Sequence, residues 1–514
     1  MTEDNVESTD PPSTVLPCCV EAPEAYRPKA QYALRMLLLP LGIDPLWVDR
    51  ADLTDRGLYY GPDPDAVPAS VLRLRLAPDT APYFDGFTPY RSRWVRWQRW
   101  WGERWPVLFG DPETDEADLV ASAFFWLSGW QEYTVAVRDR HGRFPHHASL
   151  QARFGTTTRP AVDAYREHLA EALTHLDVPF QRRRWGRAGW AFCPTHDIDY
   201  LRKWRKGMIY REIVLHFFGN PRRASPGVRF RRLGRFLRDW LTPGDVYRTA
   251  FERLHHETME RGGTATFFLK TGAHGPHDVF YASDDPYLHQ RISALEEDGF
   301  EIGLHPSYYA HTHLEYLHEE QSRLADAVTQ TPISVRQHYL RYEAPATPRL
   351  QHAAGFHIDS SLGFSETEGF RHATCLPFQR FDVPANAATD LWEMPLSMME
   401  SAVFNRRGLA LDEALRATAD ILQTCRRFGG AAVMLWHNVL WDELDHPDWG
   451  CHFTETLDAA VAEGACIVSL RDALASWLGF DESESQIDEP ESQIDESESR
   501  GAGESERIEV GTNR

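Results

Sequence analysis

The chain has 514 residues, of which 42% are hydrophobic and 25% are charged, so it has room for two or three domains with buried cores. Its formal net charge of −22 argues against a nucleic-acid partner. No stretch approaches the ~20 apolar residues of a membrane-spanning helix, and seven scattered cysteines do not suggest a disulfide framework. The acidic N-terminus has no apolar signal region, which predicts a cytoplasmic protein.

Two segments precede the central part of the chain. Residues 1–25 are predicted to be a disordered lead-in, and residues 26–184 a smaller mixed α/β domain. Within that domain, residues 32–38 read as a helix, and residues 71–76 alternate like a strand.

The N-terminal domain also contains a Trp-dense stretch. Trp94, Trp97 and Trp101 follow helical spacing and would form one aromatic stripe on a helix. Such a stripe either stacks on carbohydrate or packs in the core, and core is the favoured interpretation because amphipathic helices bury stripes of this kind.

From residue 185 to 478 short apolar runs alternate with helical segments, which predicts a parallel α/β sheet or barrel. Active sites of such folds lie at the carboxyl ends of the strands, so polar residues there are expected to converge. The predicted strands are 190–195, 265–269, 301–304, 333–335 and 431–436.

Two charged segments stand out. An insertion at 201–244 contains twelve Arg and Lys residues between Arg202 and Arg238, interleaved with apolar residues. Such a segment contacts an anionic membrane or an anionic substrate through 202–240, or it is a solvated helical hairpin packed beside the active site. At the other end of the chain, the acidic residues 479–514 are predicted to be a disordered tail.

The most informative motif is Asp197-Ile198-Asp199, which follows the first of these strands. Side chains alternate along a strand, so both carboxylates point to one face. Two adjacent carboxylates repel each other, which indicates a cation between them or an acid/base role. The alternative is that both carboxylates cap the following helix.

Other strand ends carry matching groups. His305 follows the third predicted strand, Arg336 the fourth and His437 the last. Carboxylate and imidazole together suit a zinc-like ion with one position open for water. A single histidine at a strand end more often serves packing, but two of them facing an aspartate pair favour chemistry.

These motifs, in this order, resemble those of the NodB-homology polysaccharide deacetylases of carbohydrate esterase family 4. The third motif, R-x-P-Y, has His338 where the family has proline. The matching segments are 195–199 for the first motif, 299–305 for the second, 336–339 for the third, 359–361 for the place of the fourth, and 435–437 for the fifth.

The resemblance implies a distorted (β/α)7 barrel that hydrolyses an N-acetyl, sometimes an O-acetyl, group with a divalent metal, zinc being the first choice. It implies roles that are carried over by position: Asp199 and His305 bind the metal, Asp197 is the general base, His437 is the general acid, Arg336 orients Asp197, and the Tyr339 backbone amide helps to hold the oxyanion.

The chain departs from the family at the second metal histidine, which should lie four residues after His305. That place is Tyr309. Three alternatives remain: His311 is the third ligand, Ser307 or Tyr309 ligates, or the metal is weak or absent. His311 is ranked first because tyrosine is a poor zinc ligand.

Two further residues are assigned to substrate. Arg371 either clamps a phosphate or carboxylate of the substrate or forms an internal ion pair. Trp436, beside His437, is a predicted substrate contact.

The prediction as a whole is a cytoplasmic, metal-dependent hydrolase that removes an acetyl group from an amino sugar or glycan precursor. Without an export signal, a nucleotide-linked or lipid-linked amino sugar fits better than an extracellular polymer, and contact with the inner membrane face is compatible with this. Two alternatives stay open: a degenerate barrel that binds carbohydrate, and a scaffold for exopolysaccharide or envelope assembly that acts through the Trp-rich half.

Overall fold

The computed structural model describes residues 14–479, apart from 112, 114, 115, 205–208, 211–225, 242, 243, 280, 283 and the side chain of residue 240. These residues fall within one compact unit. The predicted acidic tail lies outside the described residues, as does about half of the basic insertion. The boundary near residue 184 stays a prediction.

A predominantly parallel sheet of ten strands dominates the chain after residue 190 and is curled like half of a barrel. Its strand order is β14-β15-β13-β12-β11-β10-β9-β17-β16, with β18 paired to β9, and β14 is antiparallel to β15. The bounds are β9 Ala191–Ile198, β10 Thr266–Leu269, β11 Glu301–Leu304, β12 Ser334–Val335, β13 Ile358–Asp359, β14 Phe378–Asp382, β15 Ala387–Glu393, β16 Leu396–Met399, β17 Ala431–Leu435 and β18 Cys466–Ile467.

The five strands predicted from apolar runs are confirmed as β9, β10, β11, β12 and β17, with ends that differ from the predicted ones by at most three residues. Every residue of β9, β10, β11 and β17 is buried, as expected for parallel strands that are covered on both faces. Because β9 pairs with both β10 and β17, the carboxyl end of β9 lies in the middle of the sheet.

A second, four-stranded parallel sheet lies near the N-terminus, in the order β2-β1-β3-β4. Its strands are β1 Thr14–Val20, β2 Ile43–Trp47, β3 Gly57–Gly61 and β4 Val71–Arg75. Strand β1 corrects the prediction of a disordered lead-in up to residue 25. It is central in its sheet and buries Leu16, Cys18 and Cys19, so it has the packing that a disordered segment lacks.

The predicted Trp stripe on a helix is also wrong. Residues Arg96–Trp100 form strand β5, which pairs with β6, Glu103–Val107. Trp101 and Gly102, with φ of 51° and 80°, form the two-residue turn between the strands. Positive φ at both turn residues matches the twist of a hairpin, and this local geometry overrides the helical spacing. Two-residue strands follow, β7 Phe109–Gly110 and β8 Ala117–Asp118.

The helices cover the sheets and connect their strands. In the described part of the chain, every helix is too short or too polar to cross a membrane. The helix predicted at 32–38 is confirmed and begins earlier, at Arg27. The bounds are Arg27–Leu38, Thr80–Asp85, Leu119–Leu127, Trp130–Thr134, Leu150–Phe154, Ala161–His175, Pro226–Leu241, Val246–Met259, Pro286–Glu297, Leu314–Ala325, Thr347–Ala353, Leu411–Phe428, Trp449–Ala462 and Leu470–Leu478.

Candidate active site and metal centre

The carboxyl ends of β9, β11, β12 and β17 bring the motif residues together. Asp197 lies in β9 and Asp199 directly after it, while His305 follows β11 and His437 follows β17. His437 Nε2 is 4.0 Å from Asp197 Oδ2 and 3.9 Å from Asp199 Oδ2. Segments separated by more than two hundred residues therefore meet at one edge of the sheet, in a pocket of about 180 Å³ that these side chains line.

Three of the side chains form a group that could hold a metal ion. One ligand atom from each of Asp199, His305 and His338 lies within 4.8 Å of the other two. The Asp199 Oδ1 atom is 3.6 Å from His305 Nε2 and 3.4 Å from His338 Nε2. This oxygen is buried and accepts no hydrogen bond of regular geometry from a described residue. A bound cation would give it the partner that buried polar atoms normally have.

The outer contacts of the two imidazoles fit metal binding. His305 Nδ1 donates to the Arg336 carbonyl oxygen at 2.6 Å, so its Nε2 lone pair faces Asp199. His338 Nδ1 is 2.7 Å from Asp278 Oδ1, which leaves its Nε2 facing Asp199 in the same way. A carbonyl or carboxylate behind each metal-binding histidine is the usual arrangement, because it fixes the ring and its tautomer.

Lys270 lies beside this group, at the end of β10. Its Nζ is 3.1 Å from Asp278 Oδ1 and 3.2 Å from His338 Nε2. The positive charge opposes a cation at His338, and the carboxylate of Asp278 offsets it. Burial acts against ionisation of Asp278, but the contacts with His338 and Lys270 lower the pKa of Asp278 to about 2.

Asp197 sits between the metal group and a buried guanidinium. Arg336 Nη1 is 3.8 Å from Asp197 Oδ1, and Arg336 Nη2 donates to Thr195 Oγ1 and Ser360 Oγ at 3.0 and 2.9 Å. Burial lowers the pKa of Arg336, and Asp197 is the first of the carboxylates that oppose this. The guanidinium therefore faces the Asp197 carboxylate from a fixed position.

His437 is controlled by a residue that the sequence analysis did not single out. Its Nδ1 lies 2.5 Å from Oε1 of Glu400, a fully buried carboxyl group that follows β16. Burial acts to lower the pKa of His437, but Glu400 outweighs it and raises that pKa to about 10. Glu400 directly follows β16, a strand that was not predicted, so its place at a strand end is the signal that could have indicated it.

The structure does not bring His311 to the metal group. Residues Ala310–Thr312 form a short 3₁₀ turn that buries His311, whose Nε2 is 4.0 Å from Glu343 Oε1. Burial, then the charge of Arg341, lowers the pKa of His311 to about 4. The third member of the group is His338 instead, which stands at the proline position of the third motif, three residues after the end of β12.

Ser307 and Tyr309, the other possible replacements for the missing metal histidine, also lie outside the metal group. The Ser307 backbone amide donates to Glu320 Oε2 at 2.7 Å, and its hydroxyl bonds to Glu320 Oε1. The Tyr309 side chain is 39% exposed and packs against Tyr308, outside the pocket lining.

Neither predicted substrate contact lines the pocket in the described part of the chain. Arg371 is buried and donates through Nε and Nη2 to the two carboxylate oxygens of Glu132, both at 2.7 Å, so it forms the internal ion pair. Trp436 is fully buried against His452 and Phe453. Its neighbours Leu435 and His437 line the pocket, as alternation along an extended chain requires.

Tyr339 lines the pocket through a loop with unusual backbone geometry. Tyr339 and Leu340 have φ of 62° and 53°, the left-handed region that non-glycine residues rarely adopt. The oxyanion role of the Tyr339 amide stays a prediction, as do the catalytic roles of Asp197, Arg336 and His437.

Comparisons with known proteins give a partial picture. Residues 84–178 match a family of unknown function, DUF7033. Among curated proteins, none matches the chain at a significant level.

Among solved structures, the chain is similar to a putative polysaccharide deacetylase from Mycobacterium smegmatis, with 17% identity, a TM-score of 0.37, and coverage of 56% of this chain and 90% of that one. It is also similar to a chitin deacetylase from Colletotrichum lindemuthianum, with 11% identity, a TM-score of 0.31, and coverage of 59% and 92%. A family 4 carbohydrate esterase from Streptomyces lividans matches at 12% identity, a TM-score of 0.27, and coverage of 55% and 92%. At these values the matches assign no chemistry to individual residues.

Proposed function

We propose that the protein is a metal-dependent hydrolase that removes an acetyl group from an amino sugar or glycan precursor. The observation that carries the proposal is the grouping of Asp199, His305 and His338 beside Asp197 and His437 in one pocket. Metal-assisted hydrolysis requires metal ligands and a base beside them. Here two imidazoles point their Nε2 atoms towards one carboxylate, and a second carboxylate lies next to them.

Each side chain has a task in this reaction. Asp199, His305 and His338 would hold a zinc-like ion, which when bound supplies Lewis acidity towards water and the acetyl carbonyl. Asp197 takes a proton from the attacking water, and Arg336, whose Nη1 is 3.8 Å from Asp197 Oδ1, orients this carboxylate. His437, held protonated by Glu400, gives a proton to the departing amine.

The lining of the pocket favours a substrate with a negative charge. Arg143, Lys270 and Arg406 line the pocket together with the aspartate pair. Arg143 and Lys270 are already paired with Asp139 and Asp278. A phosphate or carboxylate next to the acetylated sugar, as in a nucleotide-linked or lipid-linked amino sugar, would therefore be attracted mainly by Arg406.

Contact with an anionic membrane through residues 202–240 remains part of the proposal. The described helix Pro226–Leu241 exposes Leu237 and Leu241, while Arg232 and Arg235 pair with Asp445 and Asp442 at 2.6 Å. The ion pairs fix one side of the helix to the protein, and the exposed leucines lie away from these pairs.

Metal content and acetate release test the hydrolase. The full chain is stripped with a chelator, reloaded with Zn²⁺ and incubated with free, nucleotide-linked and lipid-linked N-acetylated amino sugars. We expect about one metal per chain and acetate release that Asp197→Asn abolishes, while Asp390→Asn, at an exposed position, leaves it unchanged. A metal-loaded protein that releases no acetate from any of these substrates would refute the hydrolase.

A barrel that binds sugar without hydrolysing it is the second candidate. Tyr309 stands where the resemblance places the second metal histidine, and the Lys270 ammonium is close enough to His338 to weaken a bound cation. Substoichiometric metal after reloading, together with sugar binding that Asp197→Asn leaves intact, would favour this candidate.

A further inference from the structure

A turn from the N-terminal part of the chain contributes one side chain to the lining of the pocket. Arg143 lines the pocket, and its Nη1 donates to the carbonyl oxygen of Tyr339 at 2.9 Å. The turn, residues 139–143, lies within the segment 84–178 that matches the family of unknown function. The pocket is therefore not built by the C-terminal sheet alone.

Hydrogen bonds to Asp139 hold the arginine of this turn in place. Asp139 Oδ1 accepts from the backbone amides of His141 and Arg143 at 2.8 and 2.9 Å, and Asp139 Oδ2 accepts from Arg143 Nε at 2.8 Å. The Arg143 residue is only 8% exposed. Its guanidinium is thus fixed before it reaches Tyr339, and little side-chain entropy remains to be lost on forming that contact.

The contact falls where the pocket loop is strained. Tyr339 and Leu340 both have positive φ, and two successive left-handed non-glycine residues persist only when their surroundings hold them. Arg143 binds the Tyr339 carbonyl, and Arg341 Nε donates back to the His141 carbonyl at 2.8 Å. The turn and the loop are therefore cross-linked in both directions around the strained pair.

The strained pair directly follows His338, the third member of the metal group. The Leu340 amide donates to the Gln337 carbonyl at 2.8 Å and the Arg341 amide to the His338 carbonyl at 3.3 Å. If the loop relaxed to ordinary φ values, both hydrogen bonds would break and the Tyr339 backbone would turn away from the pocket.

We propose that Arg143 is a positioning residue, and that the turn 139–143 completes the pocket by holding Tyr339 and Leu340 in the left-handed conformation. The segment 84–178, which matches the family of unknown function, would then help to shape the site at the edge of the C-terminal sheet. The effect on hydrolysis rests on the proposed function, whereas the effect on the loop does not.

The test compares Arg143→Gln with wild type in the full chain. Arg153→Gln is the matched control, because Arg153 is exposed and contacts Ser92 at 3.4 Å, in the same N-terminal region. Amide hydrogen exchange of residues 336–342, measured by mass spectrometry, reports on the loop without any substrate. We expect exchange about tenfold faster in Arg143→Gln, as the loss of one charge-assisted hydrogen bond implies, and unchanged exchange in Arg153→Gln.

Kinetics on the metal-loaded protein give the second readout. We expect kcat for acetate release to fall about tenfold in Arg143→Gln, and Arg143→Lys, which keeps a charged donor, to regain part of the loss. Unchanged exchange in 336–342 would overturn the proposal, even if kcat fell, because Arg143 would then act on the substrate directly.

Two further outcomes are decisive. Faster exchange in the loop, in a protein that releases no acetate even as wild type, would support the positioning role and count only against the proposed function. If Arg143→Gln does not fold, Asp139→Asn takes its place, since it keeps Arg143 but weakens the carboxylate that anchors it. Exchange in 336–342 that matches wild type in Asp139→Asn would overturn the proposal.

Discussion

Replacing His338 by alanine removes one of the three side chains that could hold a metal. His338 Nε2 is 3.4 Å from Asp199 Oδ1, and its ring is fixed from behind by Asp278. Zinc sites with four protein ligands bind with about 10–16 kcal/mol, so one ligand accounts for roughly 3 kcal/mol. We therefore expect His338→Ala to weaken metal binding about 100-fold or more.

The assay is competition for Zn²⁺ between the stripped full chain and a chromophoric chelator, which needs no substrate. His311→Ala is the matched control, since His311 is a buried histidine in the loop after the neighbouring strand β11 and lies outside the metal group. Asp278→Asn supplies a graded variant, because replacing a carboxylate behind a metal-binding histidine costs 10–100-fold, about 1–3 kcal/mol.

The two possible third ligands give opposite patterns. If His338→Ala kept wild-type affinity while His311→Ala lost the metal, the loop after β11 would have to rearrange on metal binding, and the arrangement described here would be wrong. If both variants kept wild-type affinity, neither histidine would be a ligand.

Three further predictions concern buried charges. Glu400→Gln removes the group that raises the pKa of His437 to about 10. The basic limb of the pH–rate profile, where the general acid loses its proton, should therefore move to lower pH by at least ~1 unit. If this limb did not move, His437 would not be the acid. Arg371→Met breaks the ion pair with Glu132 and should lower the free energy of unfolding, measured in urea, by about 3–5 kcal/mol. Replacing both residues by apolar ones should lower it by less. If the single and the double replacement lowered it equally, the pairing would be contradicted. Glu320 is buried, and burial raises its pKa from 4.5 to about 7. The protonated form is thus favoured in the folded state, and stability should fall by roughly 3 kcal/mol as the pH rises from about 4.5 to 7. Glu320→Gln should flatten this pH dependence, and a wild-type protein whose stability is already flat in this range would contradict the assignment.

The sequence was sufficient to locate five strands of the sheet that places the site. Buried parallel strands are rich in apolar residues, so β9, β10, β11, β12 and β17 could be located from short apolar runs in the sequence. Their polar ends could then be expected to meet, because parallel strands of one sheet end at one edge. The grouping of Asp197, Asp199, His305 and His437 follows from that rule and from no long-range information.

Two predictions from the sequence were wrong because local turn geometry or strand pairing outweighed the pattern of the residues. The spacing of Trp94, Trp97 and Trp101 suits a helix, but the turn at Trp101-Gly102 closes a hairpin instead. Strand β1 lies in a segment whose prolines suggest disorder, and only pairing with β2 and β3 makes it a strand.

Which histidine joins the metal group was decided by tertiary structure alone. Both His311 and His338 follow strand ends at short distances in sequence, but a turn buries His311 beside Glu343 while Asp278, from another loop, aims His338 at Asp199. Contacts between distant segments likewise place Glu400 behind His437 and Arg143 beside Tyr339. Periodicity fixes which residues reach the edge of a sheet, whereas the directions of side chains on loops depend on contacts with distant segments, which no local pattern encodes.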